Sequence, residues 1–220
     1  LDHVFANRTA SCLVNPRACA ETELNYFPAA TPLRVAVVGA GPAGLACATV
    51  AAQRGHAVTL FDAAADIGGQ FNLARRIPGK EEFDETLRYF RTRLVETGVD
   101  VRLSTAVAAD DLAGFDAVVL ATGVVPRAVD FPGRDHPKVV GYVDVIEGRV
   151  VPGARVAIIG AGGIGFDVGE FLVEHAGQSP SLDTGTWMRE WGIDPSFEQP
   201  GGLVPAAPAP PARTLWLLQR

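Results

Sequence analysis

An apolar run, a glycine-rich turn and a helix-forming stretch follow one another twice in this chain, and that repeat limits its fold more than any other feature. Arg34-Val-Ala-Val-Val38 leads into Gly39-Ala-Gly41-Pro-Ala-Gly44, and Arg155-Val-Ala-Ile-Ile159 leads into Gly160-Ala-Gly162-Gly-Ile-Gly165. Short β-branched runs that end at glycine read as strands buried on both faces, as in parallel sheets. Pro42 to Gln53 predicts a helix stopped by Gly55, and Val58-Thr-Leu-Phe61 predicts the next strand, closed by Asp62. These pieces make one β-α-β unit. After the second glycine turn a helix is expected to about Glu174, with its following strand at Leu215–Leu218.

Between the two units, Glu81 to Glu96 predicts a helix. Phe83, Leu87, Phe90 and Leu94 fall on one face, acids crowd its start, and Gly98 follows its end. Strands are expected at Val99–Leu103 and Ala117–Leu120. Residues 124–153, with Pro126, Pro132, Pro137 and Pro152, read as connecting sequence around a short strand at Val139–Val143. Residues 176–212, with Trp187, Trp191 and a Pro/Ala run, read as a long inserted loop, functional or flexible. Residues 1–32 show no sustained period and read as a lead-in. The fold class that follows is α/β, with two Rossmann-like dinucleotide-binding domains of FAD/NAD(P)-binding type, truncated at both ends. The first spans 33–150 and the second 151–220. Truncation is expected because residue 1 is Leu, the single Met is Met188, and Thr214 to Arg220 reads as a strand cut at its tip.

Composition removes other classes. Hydrophobic residues make up 48%, too many for a disordered chain, and three cysteines in 220 residues are too few for a disulfide scaffold. A formal net charge of −6 leaves no nucleic-acid footprint. Val35 to Ala52 carries no charge, but Gly39, Gly41, Pro42 and Gly44 break it, so it reads as strand, turn and helix and not as a membrane span. Leu1 to Ala10 lacks the apolar core of a secretory signal, and a cytoplasmic location is expected.

The G-x-G-x-x-G order has a physical purpose. Gly39 permits the tight turn, Gly41 lets backbone approach a pyrophosphate, and Gly44 packs helix against strand. The helix N-terminus then offers unpaired N–H groups and a favourable dipole to the phosphates. Asp62, at the end of the next strand, is placed to accept hydrogen bonds from ribose hydroxyls. The bland alternative is a tight turn in an unrelated α/β fold. Gly160, Gly162 and Gly165 repeat the pattern for a second dinucleotide. Its following strand ends in Gln219-Arg220, not in Asp or Glu. A cation there pairs with a 2′-phosphate where a carboxylate would repel it, which favours NADPH over NADH. A surface strand ending in Arg is also unexceptional.

Two further turns stand between the modules. Asp116-Ala-Val-Val-Leu-Ala-Thr122-Gly123 reads as a buried strand and turn, suited to the strand that leads back against a flavin. Gly68-Gly69-Gln70 is a turn by default, whose glycines could admit a cofactor with Gln70 hydrogen-bonded to it. Two dinucleotide modules in one chain point to electron transfer between FAD and a nicotinamide.

Several longer runs carry a resemblance. Ser11-Cys-Leu-Val-Asn-Pro-Arg-Ala-Cys19, Ile67-Gly-Gly-Gln-Phe-Asn72, Ile77-Pro-Gly-Lys-Glu-Glu-Phe83, Ala121-Thr-Gly123, Ile158 to Asp167 and Trp191-Gly-Ile-Asp194 resemble the bacterial-type NADPH-dependent 2,4-dienoyl-CoA reductases, a family of iron–sulfur flavoenzymes. The resemblance covers essentially the whole chain. It implies FAD and NADPH domains behind an FMN-binding barrel and a 4Fe–4S cluster. Electrons would pass from NADPH to FAD, the cluster, FMN and an unsaturated fatty acyl-CoA, in β-oxidation of unsaturated fatty acids. It implies that Cys12 is the last of four cluster cysteines, so that residues 1–32 hold a remnant of that site, and that Cys19 is not a ligand. Cys47 reads as a small core residue. By the same resemblance Ala43 and its loop contact FAD, Asp62 holds the adenosine ribose, Gln70 and Lys80 line the flavin site, and Val107 lies against the adenine. Arg220 matches the position that reads the NADPH phosphate.

The FMN barrel, with the tyrosine and histidine that serve the substrate, would be a partner domain of the same polypeptide and is absent from this sequence. No catalytic residue is therefore assigned. His3, His56, His136 and His175 read as surface or structural, and the fragment is expected to be inactive alone on dienoyl-CoA. Two other readings stay open. One is a domain of a related NADH:flavin oxidoreductase/trimethylamine dehydrogenase-type flavoenzyme; in the trimethylamine dehydrogenase type the corresponding domain accepts no nicotinamide. The other is a non-catalytic truncated product.

Overall fold

Most of the expected strands and helices form where the glycine stops and apolar faces place them. The computed structural model describes residues 2–12, 15–174 and 179–219. In chain order the elements are the single turn α1 (Asp2–Phe5), β1 (Arg34–Val38), α2 (Pro42–Gln53), β2 (Ala57–Phe61), α3 (Phe71–Ala74), α4 (Phe83–Thr97) and β3 (Asp100–Arg102). They continue with β4 (Ala117–Leu120), α5 (Tyr142–Ile146), β5 (Arg155–Ile159), α6 (Gly163–Val173), α7 (Thr184–Trp191) and β6 (Thr214–Leu218). The chain divides into two units. One runs up to Phe71 and includes Glu85–Val125; the other comprises Asn72–Asp84 and the sequence from Pro126 onward.

The first unit is a parallel sheet in the order β3-β2-β1-β4. Val35 stands opposite Val58 on one side and Ala117 on the other, and Val38 opposite Phe61 and Leu120. With neighbours on both edges, β1 buries Val35, Ala36 and Val37, which is why its sequence is a continuous apolar run. Leu45 and Ala48 of α2 pack with Val35, Val37, Val58 and Leu60 of the sheet and with Leu87 and Leu94 of α4. Leu87, Phe90 and Leu94 of the predicted α4 stripe thus face this core. The helix starts at Phe83 and not at Glu81, because Phe83 N–H donates to the Lys80 carbonyl and Asp84 N–H to that of Glu81, which closes a separate turn first. At the sheet's opposite end, Asp116 accepts from Arg34 N–H at 2.7 Å and from its guanidinium at 3.2 Å. Those bonds, the backbone one foremost, hold the Asp116 carboxyl below the usual carboxylate range. His56 is structural, as expected: its Nδ1 accepts from Leu33 N–H at 3.1 Å.

In the second unit β5 and β6 pair in parallel, from Arg155 opposite Thr214 to Ile159 opposite Leu218. Ile77, Val145, Ile146, Val168 and Leu172 form its core. Two expectations are corrected here. The strand expected at Val139–Val143 does not form; α5 begins after Gly141 and buries Val145 and Ile146. A short apolar run has no period that separates strand from helix, and packing against Val168 and Leu172 overrides the β preference of valine. The insert 176–212 is not a bare loop either. Asp183 caps α7 by accepting from Thr186 N–H at 2.7 Å, and Gly192, at φ +67°, ends it. Those Thr186 bonds keep the Asp183 carboxyl low. A cap and a glycine stop were both in the sequence, but the Pro/Ala run beyond them masked the signal. Among the described residues no helix is long and apolar enough to cross a membrane.

Candidate functional site

The first glycine turn is fixed from three sides. Gly39, at φ +108°, donates its N–H to the Phe61 carbonyl at the end of β2, at 2.7 Å. Ala121 N–H donates to Val38 at 2.7 Å, which brings the end of β4 so close that a Cβ on Gly39 would overlap the Ala121 carbonyl. A Cβ on Gly44 would overlap the Gly39 carbonyl, so the third glycine packs the helix start onto the turn. From the third side comes Gly68-Gly69: Gly68 N–H donates to the Ala40 carbonyl at 2.8 Å, and a Cβ on Gly69 would stand 3.0 Å from the Gly41 Cα. The glycines at 68 and 69, expected to admit a cofactor, here make the close approach to the glycine turn itself. Gln70 Nε2 then donates to the Val124 carbonyl at 2.9 Å, just past Thr122-Gly123.

Asp62 also serves this loop. Its Oδ2 accepts from Ala40 N–H at 2.6 Å and its Oδ1 from Ala64 N–H at 2.7 Å. A carboxylate has about four acceptor positions, so two remain for ribose hydroxyls. Asp62→Ala leaves the N–H of fully buried Ala40 without this acceptor. The expected cost is about 1–3 kcal/mol, read as a lower urea midpoint. Asp62→Asn, which keeps one acceptor oxygen, should recover part of it.

Around this turn lie the surfaces a dinucleotide needs. The N-cap of α2 is Gly41, with no side chain on the first-turn amides, so the N–H of exposed Ala43 is open to an anion. Val107 and Thr122 meet in an open apolar cleft of about 510 Å³, together with Val38, Leu112, Val118 and Leu120. A glycine-lined approach, an uncapped helix start, a carboxylate at the strand end and an apolar cleft fit the pyrophosphate, ribose and base of a dinucleotide.

The second unit repeats the construction. Gly160, at φ +116°, donates its N–H to the Leu218 carbonyl at 2.9 Å, as Gly39 does to Phe61. A Cβ on Gly165 would overlap the Gly160 carbonyl, as at Gly44. Gly162 caps α6 with no side chain on its first turn. Ala161 N–H donates to Gln219 Oε1 at 3.1 Å, so an amide stands where Asp62 stands in the first unit. Arg220 and His175 lie outside the described residues.

Lys80 belongs to this unit, where its Nζ lies 2.6 Å from Asp167 Oδ1 on α6. The same loop is tied to the insert, since Glu81 Oε2 accepts from Ser181 Oγ at 2.9 Å and its Oε1 from Gly79 N–H at 3.2 Å. Partial burial pushes the Glu81 carboxyl up, but bonds from Ser179, Ser181 and the turn's backbone outweigh it and hold the group low. Asp167 and Gln219 are the two residues given no role from sequence. Each sits at a fixed place after the glycine turn or the next strand, and that position was the available signal.

The cysteines divide as their surroundings dictate. Cys47 packs against the first unit's core, and burial pushes its thiol up, away from reactivity. Cys12 and Cys19 are exposed. Among the described residues no three His, Cys, Asp or Glu side chains lie together so as to hold a metal ion. Cys12, exposed, could supply one of the four thiolates that a 4Fe–4S cluster needs.

Comparison with known proteins extends the geometry. The pyridine nucleotide-disulphide oxidoreductase domain matches residues 33–183. A metal reductase of Desulforamulus reducens is 36% identical over 192 residues, 84% of this chain and 28% of its own length. A cinnamate reductase of Clostridium sporogenes is 35% identical over 170 residues, 76% of this chain and 25% of its own length. Among solved structures, a 2-naphthoyl-CoA reductase in complex with 2-naphthoyl-CoA superposes with a TM-score of 0.74 at 35% identity, covering 78% of this chain and 26% of that one. The chain thus spans about a quarter of the length of the relatives it matches.

Proposed function

The chain belongs to the pyridine nucleotide-disulphide oxidoreductase family, and from that premise we propose that it is the FAD/NADPH electron-transfer part of a flavoenzyme of the 2,4-dienoyl-CoA reductase kind. The observation that carries this reading is the pair of matched glycine modules, one closed by a carboxylate at Asp62 and the other by an uncharged amide at Gln219. An acceptor-only group suits the ribose hydroxyls of FAD; a neutral group tolerates the 2′-phosphate of NADPH. In this reading the first unit serves FAD and the second, which takes in Asn72–Asp84 as well as the sequence from Pro126 onward, serves NADPH, with 1–32 as a lead-in.

FAD, when bound, supplies a carrier that takes a hydride from the nicotinamide and releases electrons onward. The chain's own residues bind and orient. Gly41 and Ala43 receive the flavin-side pyrophosphate, Gly44 holds the helix start against the turn, and Val107 and Thr122 line the apolar cleft for the base. Gly160, Gly162 and Gly165 do the same for the nicotinamide coenzyme, and the Asp167 carboxylate holds the Lys80 ammonium in place beside α6. The names of the naphthoyl-CoA and cinnamate reductases support an unsaturated carboxyl derivative as the final acceptor. The resemblance to dienoyl-CoA reductases adds FMN and a 4Fe–4S cluster, to which this chain contributes Cys12 alone.

The test is direct. The protein, incubated with FAD and passed through gel filtration, should retain the flavin, and anaerobic NADPH should bleach its absorbance faster than NADH does. Loss of all flavin on the column, or no bleaching by either coenzyme, would refute the reading.

A further inference from the structure

The insert between α6 and β6 has a hydrogen-bonded frame, yet it leaves its largest side chains in water. At its base Ala212 N–H donates to the Val173 carbonyl at 2.7 Å, and Arg213 Nη1 to that of Leu172 at 3.0 Å. Past α7 the chain turns back at Gly192. There Val204 N–H donates to the Gly192 carbonyl at 2.9 Å, and Ala207 N–H to that of Arg189 at 3.1 Å. A Cβ on Gly192 would overlap the Val204 carbonyl, so the returning strap is seated against the end of the helix. α7 is thus braced, but Trp191 stays 67% and Trp187 39% exposed. The two indoles meet each other instead, centroids 6.0 Å apart and planes tilted by 33°. Residues three or four apart share a helix face, which puts Glu190 beside Trp187 and the N-cap Asp183 one turn before it. Arg189, the single Lys or Arg between residues 179 and 212, stands two residues from each Trp, so it belongs to another face, where it donates to Thr186 Oγ1 at 3.1 Å. Just past the helix, Asp194 accepts from Ser196 and Gln199, and the Ser196 bonds foremost hold its carboxyl below the usual range. The aromatic pair is therefore set among carboxylates that stay ionised.

We propose that the Trp187–Trp191 face of α7 is a docking surface for a protein segment that presents arginines among apolar side chains, as a basic amphipathic helix does. Indole faces attract guanidinium groups and pack against apolar ones, and the flanking carboxylates draw the same cations from farther away. Charge selects against other occupants. A second copy would set Asp183 and Glu190 against their own equivalents, and an anionic lipid or nucleic-acid surface would set phosphates against them. The proposal goes beyond the electron-transfer reading and does not depend on it.

The probe is a fluorescein-labelled synthetic peptide of Leu and Arg at helical spacing, with a Leu/Glu peptide of the same pattern as control. Binding to the full chain is read by anisotropy at low salt. The unmutated chain should bind the Arg peptide and not the Glu peptide. Trp187→Ala/Trp191→Ala should weaken that binding about tenfold, through the loss of two indole contacts. Glu190→Gln should weaken it about threefold and flatten its salt dependence. Glu23→Gln removes the same charge from an exposed position in the lead-in and should leave it unchanged. This last comparison holds even where the double variant perturbs the helix. No binding of the Arg peptide, equal binding of both peptides, undiminished binding in the double variant, or equal losses in the two glutamate variants would each overturn the proposal. Self-association of the unmutated chain in sedimentation, or its capture on phosphatidylserine vesicles, would do so too if the double variant abolished it, because the face would then belong to a second copy or to a membrane.

Discussion

Gly39→Ala is expected to abolish FAD retention. Gly39 lies at φ +108°, a conformation that costs an L residue about 1–3 kcal/mol. The added methyl must also occupy the space of the Ala121 carbonyl, and that carbonyl cannot retreat freely, because Ala121 N–H is bonded to Val38 at 2.7 Å and its strand to the sheet. The loop will move instead. It carries the bonds from Gly39 to Phe61 and from Ala40 to Asp62, so its displacement disturbs the pyrophosphate amides and the ribose carboxylate together. A combined penalty of about 3 kcal/mol corresponds to more than about 100-fold in affinity. Flavin remaining after gel filtration at the unmutated level would contradict this. Binding of 2′,5′-ADP at the second module should persist, which separates a local lesion from global unfolding.

The converse lesion is Gly165→Ala. Here φ is unstrained, and the effect is steric: the methyl overlaps the Gly160 carbonyl and stands 3.5 Å from Leu217. Overpacking of this kind costs about 1–3 kcal/mol, and it falls at the first turn of α6, where the open amides would meet the coenzyme pyrophosphate. Affinity for 2′,5′-ADP should drop by about 10- to 100-fold while FAD stays bound. Equal loss of both ligands in either variant would show that the modules do not act separately. Unchanged 2′,5′-ADP affinity in Gly165→Ala would mean that the second glycine loop does not seat a dinucleotide.

The sequence made the local elements plain wherever one residue type had one physical explanation. Glycine at 39 and 160 had to turn, Val35 to Val37 had to be buried, and Leu87 and Leu94 had to share a face. What was hidden depended on partners far along the chain. Lys80 meets Asp167, and Gln70 meets the carbonyl of Val124; neither pairing leaves a spacing to read. Asp62 was legible as the acidic residue that closes β2 but not as the clamp on Ala40, because that bond joins it to a loop far back in the chain. The strand expected at Val139–Val143 rests on valines that favour strands in isolation, and only the core that Val145 and Ile146 enter decides for α5.

The clamps on Ala40 and Ala161 have a consequence for how quickly ligands are taken up. A glycine-rich loop is the stretch of chain with most conformational freedom to lose, and ordering it at the moment of binding would subtract from affinity. In both modules that freedom is already surrendered. Gly39 and Ala40 are anchored to Phe61 and Asp62, Gly160 and Ala161 to Leu218 and Gln219, by side chains and carbonyls that belong to the fold. The entropic cost is borne once, during folding. Each dinucleotide then meets a preorganised cradle, and its association should show no slow, concentration-independent rearrangement phase.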